Sequence, residues 1–179
     1  MIYVGYPCIG KSSIAGKDNF IDLESSNFKQ YDNWFKLYVD IAEQLSNQDY
    51  NVLLSSHFEV REELKNRDIQ FIAIFPGYDL KDLWFDRLAY RWKNEPSEKN
   101  LKALQRWREY DEDIKSLMNE PYNLVIHNRD MVDFDLRNFI KSGTVSKPIM
   151  LDEVDGKLIL RMSKSENKMS VLDLWNTLT

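Results

Sequence analysis

The 179-residue sequence contains little of what membrane, secreted or zinc-binding proteins depend on. Its single cysteine, Cys8, excludes an internal disulfide and a zinc site built from cysteine ligands. No apolar run is long enough to span a bilayer, and residues 1–20 lack the layout of a signal peptide. These absences predict a cytoplasmic protein without a membrane partner, and they leave its oligomeric state open.

Positive charge is also scarce. The 24 Lys and Arg residues are outnumbered by 29 Asp and Glu residues, which gives a formal net charge of −5. A protein with a negative net charge has no overall electrostatic field that would attract its whole surface to nucleic acid. The composition, 43% hydrophobic and 30% charged, is that of a soluble globular protein, and the length suits one domain.

The most specific motif lies at the start of the chain. Gly5, Gly10, Lys11 and Ser12 match the spacing G-x-x-x-x-G-K-[ST] of a phosphate-binding loop. Glycines let the backbone wrap closely around an anion, so that successive N–H groups point at phosphate oxygens. We expect Lys11 to reach the β- and γ-phosphates of ATP and the Ser12 hydroxyl to bind Mg²⁺. The predicted nucleotide-binding residues are Gly5, Tyr6, Pro7, Cys8, Ile9, Gly10, Lys11, Ser12 and Ser13.

Short apolar runs alternate with amphipathic stretches, which predicts an α/β protein with a parallel sheet. The predicted strands cover residues 2–4, 20–24, 52–54, 69–75 and 122–127. After a brief helix behind the loop, the predicted helices cover residues 33–46, 58–67, 79–92, 97–118 and 133–140, with Asp79 and Asp133 as caps. Residues 142–179 differ in character: Asp155-Gly156 predicts a β-hairpin, and a short helix is expected near residues 171–175.

Polar residues follow the second and third predicted strands. Asp22 and Glu24 lie where a carboxylate can hold Mg²⁺ or accept the proton of an attacking hydroxyl, although they can also belong to a helix cap. No acid follows the third strand, so we assign the metal and catalytic role to Asp22. The predicted acceptor-binding residues are Glu24, Ser25, Ser56, His57 and Arg61. For Arg61 an ion pair with a neighbouring acid is an equal alternative, and for His57 a hydrogen-bonded structural role is favoured.

A basic segment interrupts this acidic chain. Residues 81–108 contain eight basic and four acidic residues, and five aromatic residues lie among them. Arg87 and Arg91 are four residues apart, so they project from one side of a helix. Such arginines are commonly solvated, but arginines placed over a phosphate loop neutralise charge on a transferring phosphoryl group. We therefore predict Lys11, Asp22, Arg87 and Arg91 as the catalytic residues.

The order of elements, with the loop at the extreme N-terminus, resembles the small P-loop kinases of nucleosides and nucleotides. More narrowly, it is similar to the short adenylate-kinase-like and nucleoside-kinase-like proteins of bacteriophages of Gram-positive hosts. The similar blocks are 5–13 (GYPCIGKSS), 21–28 (IDLESSNF), 54–64 (LSSHFEVREEL) and 81–91 (KDLWFDRLAYR). They lie within residues 1–141, which leaves 142–179 as an appendage.

This resemblance implies the three-layer α/β/α fold of P-loop NTPases, with a parallel five-stranded sheet. It also implies ATP and Mg²⁺ on the loop and a helical lid over residues 78–118. In such a protein Asp22 handles the acceptor hydroxyl or the metal, Arg61 holds the acceptor, and Arg87 and Arg91 are lid arginines. The missing acid after the third strand and the short first helix depart from the family pattern.

The leading functional hypothesis is phosphoryl transfer from ATP to a nucleoside, a nucleotide or a modified pyrimidine base. In a second hypothesis, the phosphoryl group is transferred to a hydroxymethylated pyrimidine within DNA. The basic segment supports this alternative. A third is a non-catalytic nucleotide-binding module. A GTPase switch is excluded because the N-K-x-D and D-x-x-G motifs are absent.

Overall fold

Five short runs of apolar and β-branched residues form the central sheet. Their apolar character is expected, because parallel strands are buried on both faces. They are β1 (Ile2–Gly5), β2 (Phe20–Asp22), β3 (Asn51–Ser55), β4 (Phe71–Pro76) and β5 (Asn123–Ile126). In this computed structural model all five are parallel, in the order β2-β3-β1-β4-β5. The α/β class and the five parallel strands are confirmed, with boundaries that differ from the predicted ones by at most two residues.

The structure describes residues 1–131, 134–142, 144–146, 150–154, 157–161 and 168–170. Its α-helices are α1 (Lys11–Ile14), α2 (Trp34–Ser46), α3 (Phe58–Asn66), α4 (Lys81–Asn94), α5 (Glu98–Arg106), α6 (Tyr110–Met118) and α7 (Leu136–Ser142). The first helix is brief, as predicted. The arrangement is consistent with three α/β/α layers. Among the described helices, none combines the length and the apolar character needed to cross a membrane.

The single helix predicted over residues 97–118 is wrong. Two helices, α5 and α6, are separated by a 3₁₀ turn over Trp107–Glu109. The Trp107 indole donates a hydrogen bond to the Lys81 carbonyl (3.0 Å), and its ring lies 4.9 Å from that of Phe85. These contacts with α4 outweigh the periodicity that favours a continuous helix.

The predicted cap at Asp79 is also wrong. A 3₁₀ turn, Tyr78–Leu80, precedes α4, and no side chain caps this helix. The Asp79 carboxylate instead accepts a hydrogen bond from the Asn128 backbone (2.9 Å) and lies 3.2 Å from His127 Nδ1. Asp133 lies outside the described residues, and Asp135 accepts a bond from the Asn138 N–H, 2.9 Å away, in the first turn of α7.

The described part of the C-terminal segment contains four further strands, β6 (Thr144–Ser146), β7 (Met150–Val154), β8 (Lys157–Arg161) and β9 (Lys168–Ser170). The predicted hairpin is confirmed, since β7 and β8 pair antiparallel with Val154 opposite Lys157. Strands β6 and β9 were not predicted. They extend the main sheet beyond β5 as antiparallel strands. The predicted helix near residues 171–175 lies outside the described residues.

The helices after β4 differ in how firmly the core holds them. Trp84 and Leu88 of α4 are buried, as are Tyr110, Ile114 and Leu117 of α6. The one buried residue of α5 is polar, Asn100. Within the predicted lid region, α4 and α6 are therefore anchored in the core, and α5 forms an outer wall.

Candidate functional site

The loop Gly5–Ser13 leaves the carboxyl end of β1 in the middle of the sheet. The Tyr6 N–H donates a hydrogen bond to Ile74 O of β4, 2.9 Å away, which fixes the start of the loop. Cys8 and Gly10 both have positive φ angles, 64° and 97°. Left-handed residues placed between right-handed ones give the backbone the concave form that binds anions. For Cys8 this conformation is uncommon, and such outliers cluster at functional sites.

Gly5 is required by the packing of the loop. A Cβ at this position would lie 2.4 Å from Ile9 Cδ1 and 3.0 Å from Lys11 Cδ. Ile9 is 1% exposed, so it cannot move away without losing its place in the core. The loop is thus folded back tightly onto the end of its own strand.

Lys11 and the Ser12–Asp22 pair lie at the open side of this loop. Lys11 Nζ is 3.4 Å from the Gly5 carbonyl. Burial lowers the pKa of Lys11, and the carboxylates of Asp22 and Glu24 oppose that effect. Ser12 Oγ donates a hydrogen bond to Asp22 Oδ2, 3.1 Å away. Ser12 and Asp22 were both predicted to bind Mg²⁺, and the structure brings their side chains into contact.

These two side chains offer hard oxygen donors of the kind that Mg²⁺ prefers. Within the described part of the chain, no cluster of three or more His, Cys, Asp or Glu could hold a metal by itself. Mg²⁺ commonly keeps several waters and takes only one or two protein ligands beside substrate phosphates. Ser12 and Asp22 fit such a shared site.

Glu24 has a different environment from Asp22. β2 ends at Asp22, so Glu24 lies beyond the strand and accepts a bond from the Ser26 backbone (3.4 Å) at the start of a 3₁₀ turn. Its other carboxylate oxygen is paired with Lys99 of α5. Burial alone would raise the pKa of Glu24, but Lys99 and the Ser26 N–H together hold it below its ordinary value. Sequence reasoning missed Lys99, because nothing local links residues 75 positions apart.

Tyr38 connects the ends of β2 and β3 through hydrogen bonds of its hydroxyl group. Its hydroxyl donates to the Leu23 carbonyl (2.5 Å) and accepts from the Ser55 N–H (3.1 Å). Tyr38 is fully buried. Its hydroxyl also fixes the backbone between Asp22 and Glu24, a role without a sequence signal.

A short polar chain joins the two strand ends at the surface of the site. Ser55 Oγ donates to Ser25 Oγ (3.2 Å), and Ser25 Oγ lies 3.3 Å from His57 Nε2. Burial lowers the pKa of His57 to about 4, with a smaller contribution from the charge of Lys29. The His57 ring also meets the edge of Trp34 at 5.3 Å. His57 is therefore a neutral, hydrogen-bonded residue at pH 7, as favoured from the sequence.

His57 should make the stability of the protein depend on pH. Its pKa falls from 6.5 in the unfolded chain to about 4 in the folded one, so the unfolded chain binds more protons between these values. The free energy of unfolding should decrease as the pH falls through this window, by roughly 1–3 kcal/mol after allowance for partial solvent screening. Denaturant titrations at several pH values should show a smaller decrease for His57→Gln. A difference between the two proteins that does not change with pH would contradict this assignment.

Arg61 does not bind in the site, which corrects its predicted role. The residue is 4% exposed, and its guanidinium is paired with Glu120 and donates to Ser116 Oγ (2.9 Å). A buried charge needs such a partner, because an unpaired charge is strongly destabilising in a protein interior. The alternative expectation was an ion pair with a neighbouring acid; the structure shows an ion pair, but its partner, Glu120, lies 59 positions away.

Helix α4 carries the two predicted lid arginines next to the loop. Arg87 and Arg91 line a cavity of about 260 Å³ together with residues 8–13. Arg91 Nη1 is 3.8 Å from Cys8 Sγ, and the Arg87 guanidinium lies 5.0 Å from the centre of the Trp84 ring. The buried Trp84 donates its indole N–H to the Pro7 carbonyl, 2.8 Å away. A hydrogen bond from the same helix thus holds the loop that the arginines face.

A larger cavity of about 900 Å³ lies between this loop, the carboxyl ends of β2 and β3, and α5. Seven basic and four acidic side chains line it, so it favours an anionic ligand. The predicted site residues in its wall are Gly5, Pro7, Cys8, Lys11, Ser12, Asp22, Glu24, Ser25, Ser56, His57 and Arg91. Residues predicted from four separate parts of the chain therefore meet in one place.

Comparisons with protein-family models, with curated proteins and with solved structures found no match to this chain. The chemistry of the site therefore has to be argued from its own residues. The sequence predicted the loop and the strand-end residues, which follow local patterns. It did not predict that α5 residues such as Lys99, Asn100, Lys102 and Arg106 line the same cavity, because their placement depends on how the helices pack.

Proposed function

We propose that this protein is an ATP- and Mg²⁺-dependent kinase that phosphorylates a nucleoside, a nucleotide or a modified pyrimidine base. One observation carries the proposal. The Gly5–Ser13 loop, with Lys11 and the Ser12–Asp22 pair at its open side, adjoins a cavity of about 900 Å³. A cavity of that size accommodates a nucleotide-sized ligand beside a second bound phosphate group.

On the donor side, the loop backbone and Lys11 would hold the β- and γ-phosphates of ATP. Arg87 and Arg91 line the small cavity above the same loop, so they are placed to stabilise negative charge on the transferring group. Ser12 and Asp22 would hold Mg²⁺, which when bound neutralises charge on the phosphate oxygens. The surroundings of Lys11 suit this role, because an anion relieves the burial of its positive charge.

On the acceptor side, Asp22 is the carboxylate that reaches both the loop and the cavity. It would orient the acceptor hydroxyl and accept its proton, since phosphoryl transfer needs positioning more than covalent help. Glu24 is less suited because Lys99 occupies its carboxylate. Ser25, Ser56 and the neutral His57 offer hydrogen-bonding groups in the same wall.

A hydroxymethylated pyrimidine within DNA is the second candidate acceptor. The excess of basic side chains in the cavity favours an anionic substrate of either kind. The net charge of −5 favours the free small molecule, because a long polyanion would be repelled by the rest of the surface. A purely binding module has no particular need for Asp22 beside the loop or for the arginines above it.

A coupled assay for ADP release tests the proposal. ATP and Mg²⁺ would be supplied with nucleosides, nucleoside monophosphates, hydroxymethylated pyrimidine nucleosides, or DNA containing the modified base. ADP release should depend on one of these acceptors and should exceed the rate without an acceptor. ATP binding without ADP release for any acceptor would contradict the kinase assignment and favour a binding module.

A further inference from the structure

Asn100 is a buried polar residue in the wall of the large cavity. It lies on α5 and is 4% exposed, whereas Lys99 and Leu101 beside it are exposed. Its backbone N–H donates to Ser97 Oγ (3.2 Å), the cap of the helix, and its side-chain nitrogen donates to the Glu95 carbonyl (2.8 Å). Two hydrogen bonds thus hold the residue in one orientation.

The side-chain oxygen of Asn100 is left without a hydrogen bond. The Glu95 carbonyl can only accept, so the amide nitrogen must face it, and Oδ1 is the remaining atom. Among the described residues Oδ1 is buried and has no donor. The neighbouring ammonium groups on the same helix are engaged elsewhere, Lys99 with Glu24 and Lys102 with Glu98. An unsatisfied buried acceptor is costly and calls for a partner.

We propose that Asn100 is a specificity-determining residue that accepts a hydrogen bond from an N–H group of the acceptor's nucleobase. The inference rests on the proposed function, which supplies a ligand with a nucleobase in this cavity. The donor is either an exocyclic amino group or a ring N–H, since these are the N–H groups that a base carries. A base that lacks the donor leaves Oδ1 unpaired, as it is in the free protein, so it should bind less tightly than a base that supplies this hydrogen bond.

The test measures binding without ATP for pairs of nucleoside 5′-monophosphates that differ in one donor. The bases compared in the four pairs of nucleotides are adenine with purine, cytosine with 2-pyrimidinone, guanine with hypoxanthine, and thymine with N3-methylthymine. In calorimetric titrations, the wild-type protein should bind the donor-bearing member of at least one pair roughly tenfold more tightly. In Asn100→Leu, the ratio of the two dissociation constants should fall to about one. If this variant does not fold, Asn100→Ala, which has a smaller side chain, takes its place.

Asn94→Leu is the matched control. The Asn94 side chain also donates to a backbone carbonyl, that of Tyr90 at 2.7 Å, but it lines neither cavity. Its replacement should leave the discrimination intact. Equal affinity within every pair, no binding of any of the eight compounds, or discrimination that survives in the Asn100 variants would each overturn the inference. The proposed function fails if no acceptor supports ADP release. The titrations described here contain no ATP, so their result is independent of that outcome.

Discussion

Replacement of Lys11 by Ala should weaken the binding of ATP with Mg²⁺ by roughly 100-fold. A hydrogen bond to a charged group contributes about 1.5–3 kcal/mol, and every 1.4 kcal/mol corresponds to about a factor of ten. At an ATP concentration near 100 times the wild-type dissociation constant, the ligand should stabilise the wild-type protein by about 2.7 kcal/mol. The variant should gain only about 0.4 kcal/mol under the same conditions. Calorimetric titration and thermal unfolding with ATP and Mg²⁺ measure the two effects.

The same change should leave the fold intact. Burial already disfavours the charged form of Lys11, so removal of the ammonium group costs the folded state little. Lys17→Ala is the control: this nearby lysine donates to the Ser13 carbonyl at 2.9 Å but lines neither cavity. It should retain the full stabilisation by ATP. An unchanged response of Lys11→Ala to ATP would end the phosphate-loop assignment.

The strands and the loop were predictable because their signals are local. A buried parallel strand is a short apolar run, such as residues 71–75, and such a run is visible without any tertiary information. The loop spacing requires glycine at Gly5, where Ile9 leaves no room for a Cβ, and at Gly10, where φ is 97°. At these two positions the local structure requires glycine, so the glycine spacing in the sequence predicts the structure of the loop.

The errors in helix boundaries arose where a distant contact replaced a local one. Trp107 continues the apolar stripe of the predicted helix, yet its hydrogen bond to Lys81 O and its contact with Phe85 accompany a 3₁₀ turn there. Asp79 is suited to cap α4, but its carboxylate is used by Asn128 and His127 at the end of β5. Neither partner can be identified from sequence spacing.

The residues around the larger cavity were the hardest part to predict for the same reason. The pairing of Arg61 with Glu120 joins residues 59 positions apart, and it turns a candidate ligand contact into a structural ion pair. The pairing of Glu24 with Lys99 spans 75 positions and brings α5 over the ends of the strands. The choice between Asp22 and Glu24 therefore depends on tertiary contacts that the sequence does not reveal.

Those contacts distinguish the two carboxylates. Asp22 ends β2, and its Oδ2 accepts a hydrogen bond from Ser12 of the loop at 3.1 Å. Glu24 lies beyond the strand, bound to the Ser26 N–H and to Lys99. A group that positions the metal or takes up a proton must meet the phosphates of ATP and the acceptor together. Asp22 contacts the loop and lines the larger cavity, so under the proposed function it is the better placed of the two, whereas Glu24 lines the cavity without contacting Ser12.

Asp22→Asn should therefore lower the rate of phosphoryl transfer by roughly 10²–10⁴-fold, the range typical of general-base assistance. Asparagine keeps the shape of the side chain and can still accept a hydrogen bond from Ser12, so the loop should stay in place. The amide oxygen can also still coordinate Mg²⁺, so ATP should bind almost as tightly as to the wild-type protein, and the loss should fall on kcat. Single-turnover measurement of phosphorylated product at saturating ATP, beside a titration of ATP binding, separates the two effects.

Glu24→Gln is the matched control for this experiment, because it also replaces a carboxylate by an amide, two residues beyond the end of β2. It removes the ion pair with Lys99, so it should raise the KM for the acceptor while changing kcat less than about tenfold. The opposite pattern, a wild-type rate for Asp22→Asn and a large loss of kcat for Glu24→Gln, would show that Glu24 carries the chemistry. Full activity of both variants would remove the strand-end carboxylates from the reaction. The side chain of His57, which is neutral and lies in the same cavity wall, would then be the next candidate base.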